Sequence, residues 1–184
     1  MNKSFLSVKE IVEMSLFLAL AVILDLSGIK IGHASLTMVP LFILAYRHGL
    51  LKSFIVIGIV YSIINIAFDS WSINPIFLIF DYILGFGSIS LAGLFTKKCF
   101  NKNAKHWINL SWLSISIVIC CIIRILCSSI SGMIVYEMSF TASFWANFSI
   151  YVGWDCLLAL LFILILYPSL MIINNRYPTK FIKK

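Results

Sequence analysis

Two acidic residues lie beside aromatic rings inside long apolar stretches: Asp81 precedes Tyr82, and Asp155 follows Trp154. A carboxylate in the hydrocarbon region of a membrane is costly unless it faces a cavity, a basic partner or a ligand. Aromatic faces beside carboxylates suit a flat ligand that is cationic or rich in nitrogen, through charge pairing, stacking and cation–π contact. These pairs therefore predict a binding site for such a heterocycle within a membrane protein.

Both acidic residues also admit a purely structural interpretation. Arg124 lies about as deep in its apolar segment as Asp155 does, so these two side chains could neutralise each other. Asp81 has no basic residue at its depth, which favours a ligand role for this carboxylate. A tryptophan in a membrane helix serves packing more often than ligand contact, and this alternative applies to Trp154.

The distribution of charge predicts the topology. The 184-residue chain is 61% hydrophobic and 11% charged, with a formal net charge of +7, so most of it belongs in lipid. All lysines and arginines except Lys30 and Arg124 fall at one set of segment ends, which the positive-inside rule assigns to the cytoplasm. Because these residues flank apolar segments instead of forming one surface stripe, nucleic acid is not expected as a partner.

The predicted fold class is an all-α integral membrane protein, a bundle of six transmembrane helices with both termini cytoplasmic. A single membrane domain is expected over 1–184, with helices at about 10–28, 36–48, 50–68, 75–95, 107–136 and 144–173. The second of these falls short of the roughly 20 residues that a bilayer needs. It is expected to be tilted, partly buried in the bundle or preceded by an extended loop.

The sequence lacks the motifs of several chemistries. It has no Walker A loop, no HExxH motif and no paired nucleophile and base, so the chain is not expected to be an enzyme. Its five cysteines lack metal-ligand spacing and are interpreted as small apolar side chains, so neither a metal nor a cofactor is expected. Two rival functions stay open: a membrane-embedded enzyme that uses Asp81 and Asp155, and an assembly protein without a small-molecule pocket.

Four stretches carry a family resemblance in matching order and spacing. They are 13–25 (EMSLFLALAVILD), 38–49 (MVPLFILAYRHG), 81–86 (DYILGF) with 91–95 (LAGLF), and 130–132 (ISG). Through them the chain resembles the S-components, which are the substrate-binding membrane subunits of energy-coupling factor (ECF) vitamin transporters. Within that class it is most similar to the thiamine-specific group, and this implies a vitamin-uptake subunit in the cytoplasmic membrane of a bacterium.

The resemblance implies six helices and a pocket near the outer face, covered by a first outer loop at 29–35. Asp81 and Tyr82 match the acid–aromatic pair that contacts thiamine in the family. Ser35 occupies a position near helix two where some members carry a ligand-contacting acid. The implied small-molecule partner is thiamine or a closely related heterocyclic vitamin or precursor.

The resemblance also implies protein partners. Ser15 and Ala19 match the surface of the first helix on which the ECF transmembrane coupling protein docks. Such small residues four apart also occur where helices simply pack closely together. The expected partners are therefore this coupling protein, its two ATPases and the lipid bilayer, with the ATPases supplying the energy for uptake.

The chain departs from the thiamine-specific pattern in its last two helices. Ser128 replaces a pocket histidine, whereas Tyr136 keeps the aromatic residue that follows the Ser-Gly motif. The sixth helix contains Tyr151, Trp154 and Asp155 in place of the family's Tyr/Asn pattern. Vitamins of the pyridine, pyrimidine or pterin type therefore stay open as alternative ligands. The predicted ligand-contacting residues are Asp81, Tyr82, Ser35, Ser128, Tyr136, Tyr151, Trp154 and Asp155.

Overall fold

The computed structural model describes residues 7–28, 30–31, 34–68, 74–150 and 152–177. The first part of the chain forms helix α1 (Val8–Leu26), the antiparallel strand pair β1 (Lys30–Ile31) and β2 (Ala34–Ser35), and helix α2 (Met38–His48). The chain then continues through α3 (Leu50–Phe68), α4 (Pro75–Cys99), α5 (His106–Val135), α6 (Phe140–Ile150) and α7 (Val152–Arg176). The described residues are thus helical apart from turns and one two-residue strand pair.

The observed helices differ from the predicted segments mainly at their ends. Helix α4 continues to Cys99 because a tightly wound 3-10 stretch, Ser88–Phe95, is followed by one further α-helical turn. The segment predicted at 144–173 corresponds to α6 and α7, of which α6 begins already at Phe140. The strand pair in the first loop was not predicted, since two paired residues per strand leave no alternating pattern to detect.

The helices suit a lipid environment. Within the described residues, four helical stretches have the length and apolarity needed to cross a membrane: Leu50–Phe68, Pro75–Cys99, His106–Val135 and Phe140–Arg176. Large apolar side chains cover the outside of the bundle, for example Leu16 at 66% exposed and Ile165 at 72%. A soluble protein rarely exposes contiguous apolar surface on this scale. The chain is therefore a multi-pass membrane protein.

Helix α2 lies in the centre of the bundle. Every one of its eleven residues is buried, and it packs against α1, α4 and α7. The hydroxyl of Tyr46 in α2 lies 2.6 Å from Ser116 Oγ in α5, which satisfies two polar groups in the core. Because all of its residues are buried, neighbouring helices rather than lipid surround this helix, which spans only about 16 Å.

Ion pairs connect the helices at one end of the bundle, which we call the basic end. Helix α1 begins there with a capping box, in which Ser7 and Glu10 each accept the other's backbone N–H. Glu10 also pairs with Lys52 at 2.9 Å, and Glu13 pairs with Arg47 of α2. Arg47 Nη1 donates to Asn174 Oδ1 of α7 at 2.8 Å. Helices α1, α2, α3 and α7 are thereby joined at the basic end.

Glycines let α4 approach its neighbours closely. A Cβ placed on Gly93 would lie 2.7 Å from the backbone of Gly49 and of Leu50, at the turn between α2 and α3. A Cβ placed on Gly58 of α3 would lie 3.2 Å from the Cα of Gly87. Small residues at such crossings allow backbone-to-backbone packing within a membrane.

Gly93→Ala is expected to destabilise the bundle. The added methyl group meets backbone atoms that no side-chain rotation can move, so α4 must shift, at a cost of about 1–3 kcal/mol. Thermal unfolding of the detergent-solubilised protein measures this loss. Leu94→Ala, which alters an exposed neighbour on the same turn, is the matched control and should change the midpoint less. Equal midpoints for Gly93→Ala and the wild type would contradict the close approach.

Candidate ligand-binding site

A cavity of about 450 Å³ lies at the end of the bundle opposite the basic end. Its walls come from the last turns of α1 and α3, the first half of α4 and the middle of α5. The lining residues are Val22, Asp25, Leu26, Tyr61, Ile64, Asn65, Phe68, Asp81, Tyr82, Phe86 and Arg124. A cavity of this volume accommodates a small organic molecule of two rings.

The Asp81 carboxylate forms one polar wall of the cavity. It lies in a stretch of α4 with π-helical winding, Leu78–Phe86, and accepts a hydrogen bond from the hydroxyl of Ser128 in α5. Because i to i+5 bonds close each π-helical turn, Asp81 and Phe86 share one face of α4 and both line the cavity. Tyr82 also lines it, so three of the predicted residues, Asp81, Tyr82 and Ser128, lie together.

A second carboxylate faces the same cavity from α1. Asp25 Oδ2 accepts hydrogen bonds from the Tyr61 hydroxyl at 3.1 Å and from Asn65 Nδ2 at 2.6 Å. Tyr61 and Asn65 lie one turn apart on α3, and Asn65 Nδ2 also donates a hydrogen bond to the Tyr61 hydroxyl oxygen at 3.2 Å. The Tyr61 ring is 1% exposed and packs edge-on against Phe86, with ring centroids 4.8 Å apart. These contacts fix the ends of α1 and α3 against the aromatic interior.

Among the described residues that line the cavity, Arg124 contributes the one guanidinium. Its carbon Cζ lies 3.9 Å from the ring centroid of Phe86, a cation–π contact, and the residue is 8% exposed. Its Nε and Nη1 have no hydrogen-bond partner among the described residues, Asp155 included. The alternative in which Arg124 neutralises Asp155 stays a prediction.

Asp155 contacts the first loop. Its Oδ1 accepts the backbone N–H of Ser35 at 2.5 Å, although the two residues are 120 positions apart in the chain. The Ser35 hydroxyl forms a further hydrogen bond with the hydroxyl of Thr37, just before α2. Ser35 and Asp155 thus connect the strand pair to α7, and neither of them lines the cavity described above.

The remaining predicted residues lie elsewhere. Tyr136 caps α5 and is 54% exposed, with its ring edge-on to Phe77 at 5.7 Å. Trp154 is 49% exposed, and its Nε1 donates to the carbonyl of Ser149 at 2.7 Å. Tyr151 lies outside the described residues. Neither Tyr136 nor Trp154 lines the cavity, so their predicted ligand contacts stay predictions.

Ser15 and Ala19 are exposed on the outer face of α1. Large apolar side chains flank them on this face, including Val12 at 54% exposed and Leu16 at 66%. No described helix covers these positions. The face is thus free to contact lipid or another membrane protein.

Sequence reasoning did not assign several cavity residues to the site. Asp25 enters only as the last residue of the stretch 13–25 that carries the family resemblance, and Arg124 only as a partner for Asp155. The detectable signal was the spacing of Tyr61 and Asn65, two polar residues four apart in an otherwise apolar segment. Such a pair faces one side of a helix and calls for a polar neighbour there. Phe86 carried no signal of its own, since phenylalanine is common in membrane helices.

The sequence matches the profile of the family described as Thiamine transporter protein (Thia_YuaJ) over residues 11–178. The chain belongs to this family. Thiamine transporter ThiT of Bacillus subtilis (strain 168) is 32% identical over 102 residues, which is 52% of each chain. The chain thus aligns with about half the length of this curated relative.

The fold also has a close counterpart among solved structures. ThiT from Listeria monocytogenes superimposes with a TM-score of 0.72 over 88% of this chain and 96% of that one, at 20% sequence identity. Family membership and this superposition agree on the fold. The resemblance inferred from the four sequence stretches is therefore confirmed.

Asp155→Ala is expected to loosen the first loop. The substitution removes the acceptor of the Ser35 N–H, so this amide should exchange faster, by about fivefold or more if one hydrogen bond limits its opening. Hydrogen–deuterium exchange with mass spectrometry, on a peptide that contains Ser35, measures the change. Leu157→Ala, at an exposed position of the same helix, is the control and should leave this peptide unchanged. Equal exchange in the wild type and Asp155→Ala would exclude the contact.

Proposed function

We propose that this chain is the substrate-binding S-component of an ECF-type importer and that it binds thiamine at the extracellular side. Family membership, the names of the relatives and the cavity support this proposal. The observation that carries it is a cavity with carboxylates and aromatic rings inside a membrane-spanning bundle. Thiamine joins a permanently cationic thiazolium ring to an aminopyrimidine. Its positive charge suits the carboxylates of the cavity, and its flat rings suit the aromatic side chains.

The charge balance of the cavity fits a monocation. Among the described lining residues, Asp25 and Asp81 supply two carboxylates and Arg124 supplies one guanidinium, so these three carry one excess negative charge when all are ionised. An uncompensated charge is unfavourable in a medium of low dielectric constant. A ligand with a single positive charge neutralises this excess. A dianion or a neutral sugar would leave the excess negative charge without compensation.

We further propose that the first loop covers the occupied site. Asp155 already attaches this loop to α7 through Ser35, and closure would bring the remaining predicted contacts to the ligand. In this proposal Tyr82, Tyr136, Tyr151 and Trp154 stack on or border the rings, Asp81 and Asp155 compensate positive charge, and Ser35 and Ser128 add polar contacts. The experiment on Asp155 above therefore also tests the attachment of the cover.

The proposed topology has six transmembrane helices in one domain over 1–184, with both termini in the cytoplasm of a bacterium. The positive-inside distribution supports it, since the basic end carries the lysines and arginines of α1, α2, α3 and α7. In this arrangement α6 and α7 together form the sixth element. The cavity then faces the outside, where an importer must capture its vitamin.

Transport requires partners in this proposal. The sequence carries no Walker A loop, so energy has to come from separate ATPases bound through a transmembrane coupling protein. The exposed face of α1 around Ser15 and Ala19 is the proposed docking surface, because small residues let a partner helix approach closely. The rival interpretation as a membrane enzyme is not supported, since the family is one of transport proteins.

Asp81→Asn is expected to weaken thiamine binding by about 10–100-fold. The amide keeps the size of the side chain but removes the negative charge, and hydrogen bonds to charged groups contribute about 1.5–3 kcal/mol. Isothermal titration calorimetry with the purified protein measures the affinity, and Ile79→Ala, at an exposed position of the same stretch, is the control. Unchanged affinity in Asp81→Asn would refute the site. Wild-type protein that binds a pyridine or pterin vitamin but not thiamine would assign the cavity to that alternative ligand.

Replacing both Ser15 and Ala19 by leucine is expected to uncouple transport from binding. The larger side chains keep a partner helix at a distance, so uptake of labelled thiamine by cells and co-purification of the coupling protein should both fall at least about fivefold. Thiamine affinity of the isolated chain should stay within about twofold, because neither residue lines the cavity. Ile165→Leu, on the lipid-exposed side of α7, serves as the control. Normal uptake by the double variant would rule out docking at this face.

A further inference from the structure

The guanidinium of Arg124 is the least satisfied polar group in the cavity. The residue is 8% exposed and lines the cavity, and its Nε and Nη1 make no hydrogen bond to any described residue. Its contact with the face of Phe86 stabilises the positive charge but gives its N–H donors no hydrogen-bond acceptor. A buried donor without an acceptor is costly, so a group that is absent from the bare chain is expected to accept these hydrogen bonds.

The position of Arg124 places that acceptor deeper than the cation site. Ser128, which holds Asp81, lies four residues further along α5, so Arg124 is one helical turn, or about 6 Å, closer to the middle of the membrane. Phe86 lies at a comparable depth on α4 and forms the surface on which the guanidinium rests. A ligand that reaches from Asp81 to Arg124 must therefore carry a cationic part and, at the distance of about one helical turn, a hydrogen-bond acceptor.

The charge of the cavity restricts that acceptor. One positive charge on the ligand already neutralises the lining formed by Asp25, Asp81 and Arg124. A phosphate ester would add up to two negative charges at depth and restore an excess, which a medium of low dielectric constant disfavours. An uncharged oxygen or ring nitrogen satisfies the N–H donors without this cost.

We infer that Arg124 is a specificity-determining residue of the ligand site, which donates hydrogen bonds to an uncharged acceptor atom of the bound vitamin. The inference rests on the proposed function and extends it, because it states which part of the ligand the deep end of the cavity recognises. Asp81 selects for the positive ring, and Arg124 selects for an acceptor atom about one helical turn deeper in the cavity. Ligands that lack this acceptor leave the two nitrogens of Arg124 unpaired and lose affinity.

The experiment compares ligands and variants in one matrix. Thiamine is titrated together with analogues that each lack one acceptor: one with the hydroxyl group replaced by hydrogen, and two with a pyrimidine ring nitrogen replaced by CH. Each is measured on the wild type, on Arg124→Met and on Arg124→Lys by calorimetry. In the wild type, one analogue should bind at least about tenfold more weakly than thiamine, and in Arg124→Met this ratio should fall below about threefold. Thiamine monophosphate should bind the wild type more weakly than thiamine.

The matrix separates a recognition role from a structural one. If Arg124 only supports packing on Phe86, Arg124→Met lowers the affinity for every ligand by the same factor, and the inference is overturned. Tighter wild-type binding of thiamine monophosphate overturns the assignment to an uncharged acceptor. A wild-type protein that does not bind thiamine refutes the proposed function and this inference with it. Retained thiamine binding with unchanged ligand ratios in Arg124→Met refutes the inference alone.

A second measurement uses only the wild-type protein and therefore does not depend on the folding of a variant. The Nε–H resonance of Arg124 in wild-type protein with labelled arginine reports directly on a new hydrogen bond. It should shift on saturation with thiamine and return towards its ligand-free position with the analogue that lacks the acceptor. The same resonance position with all ligands would overturn the inference.

Discussion

A charge without a partner is costly in a medium of low dielectric constant, and this constraint explains where the polar residues of the bundle are placed. At the basic end, Glu10 and Glu13 are each paired with a basic side chain. Among the described residues, the pairing in the cavity is incomplete: Asp81 accepts a hydrogen bond from the hydroxyl of Ser128 instead of a basic group, and two nitrogens of Arg124 have no acceptor. The two unpaired nitrogens of Arg124 therefore lie where a ligand can supply an acceptor.

The way in which α3 and α4 are wound brings these groups together. Both helices contain π-helical stretches, Phe54–Tyr61 in α3 and Leu78–Phe86 in α4, and the two stretches pack against each other. Such winding changes which residues share a helix face, so that Asp81 and Phe86 both reach the cavity although they are five residues apart. Close packing at Gly58 and Gly87 holds the two helices in this register. The geometry of the site thus depends on backbone features of helices that otherwise serve as membrane spans.

Much of the architecture followed from the sequence, because apolar length and the positions of lysine and arginine depend on the bilayer alone. The helical, membrane-embedded character of the chain was predicted correctly, and the family resemblance is confirmed. Asp81 and Ser128 were both predicted to contact the ligand, but the hydrogen bond between them was not predicted. The contact of Asp155 with Ser35 and the cluster around Asp25 were not found, since both join residues far apart in the chain. The π-helical winding was also inaccessible, because local sequence patterns assume 3.6 residues per turn.

The ion pairs of the basic end hold the first turns of α1 in place. Glu10 and Glu13 attach its first turns to α3 and α2, and near its far end Asp25 accepts hydrogen bonds from Tyr61 and Asn65 of α3. Leu26 lies about 24 Å along α1 from Glu10, so a tilt of about 5° about the first turns moves it by about 2 Å. Because Val22, Asp25 and Leu26 line the cavity, such a tilt would change its width, whereas the ion-paired first turns of α1 would hardly move.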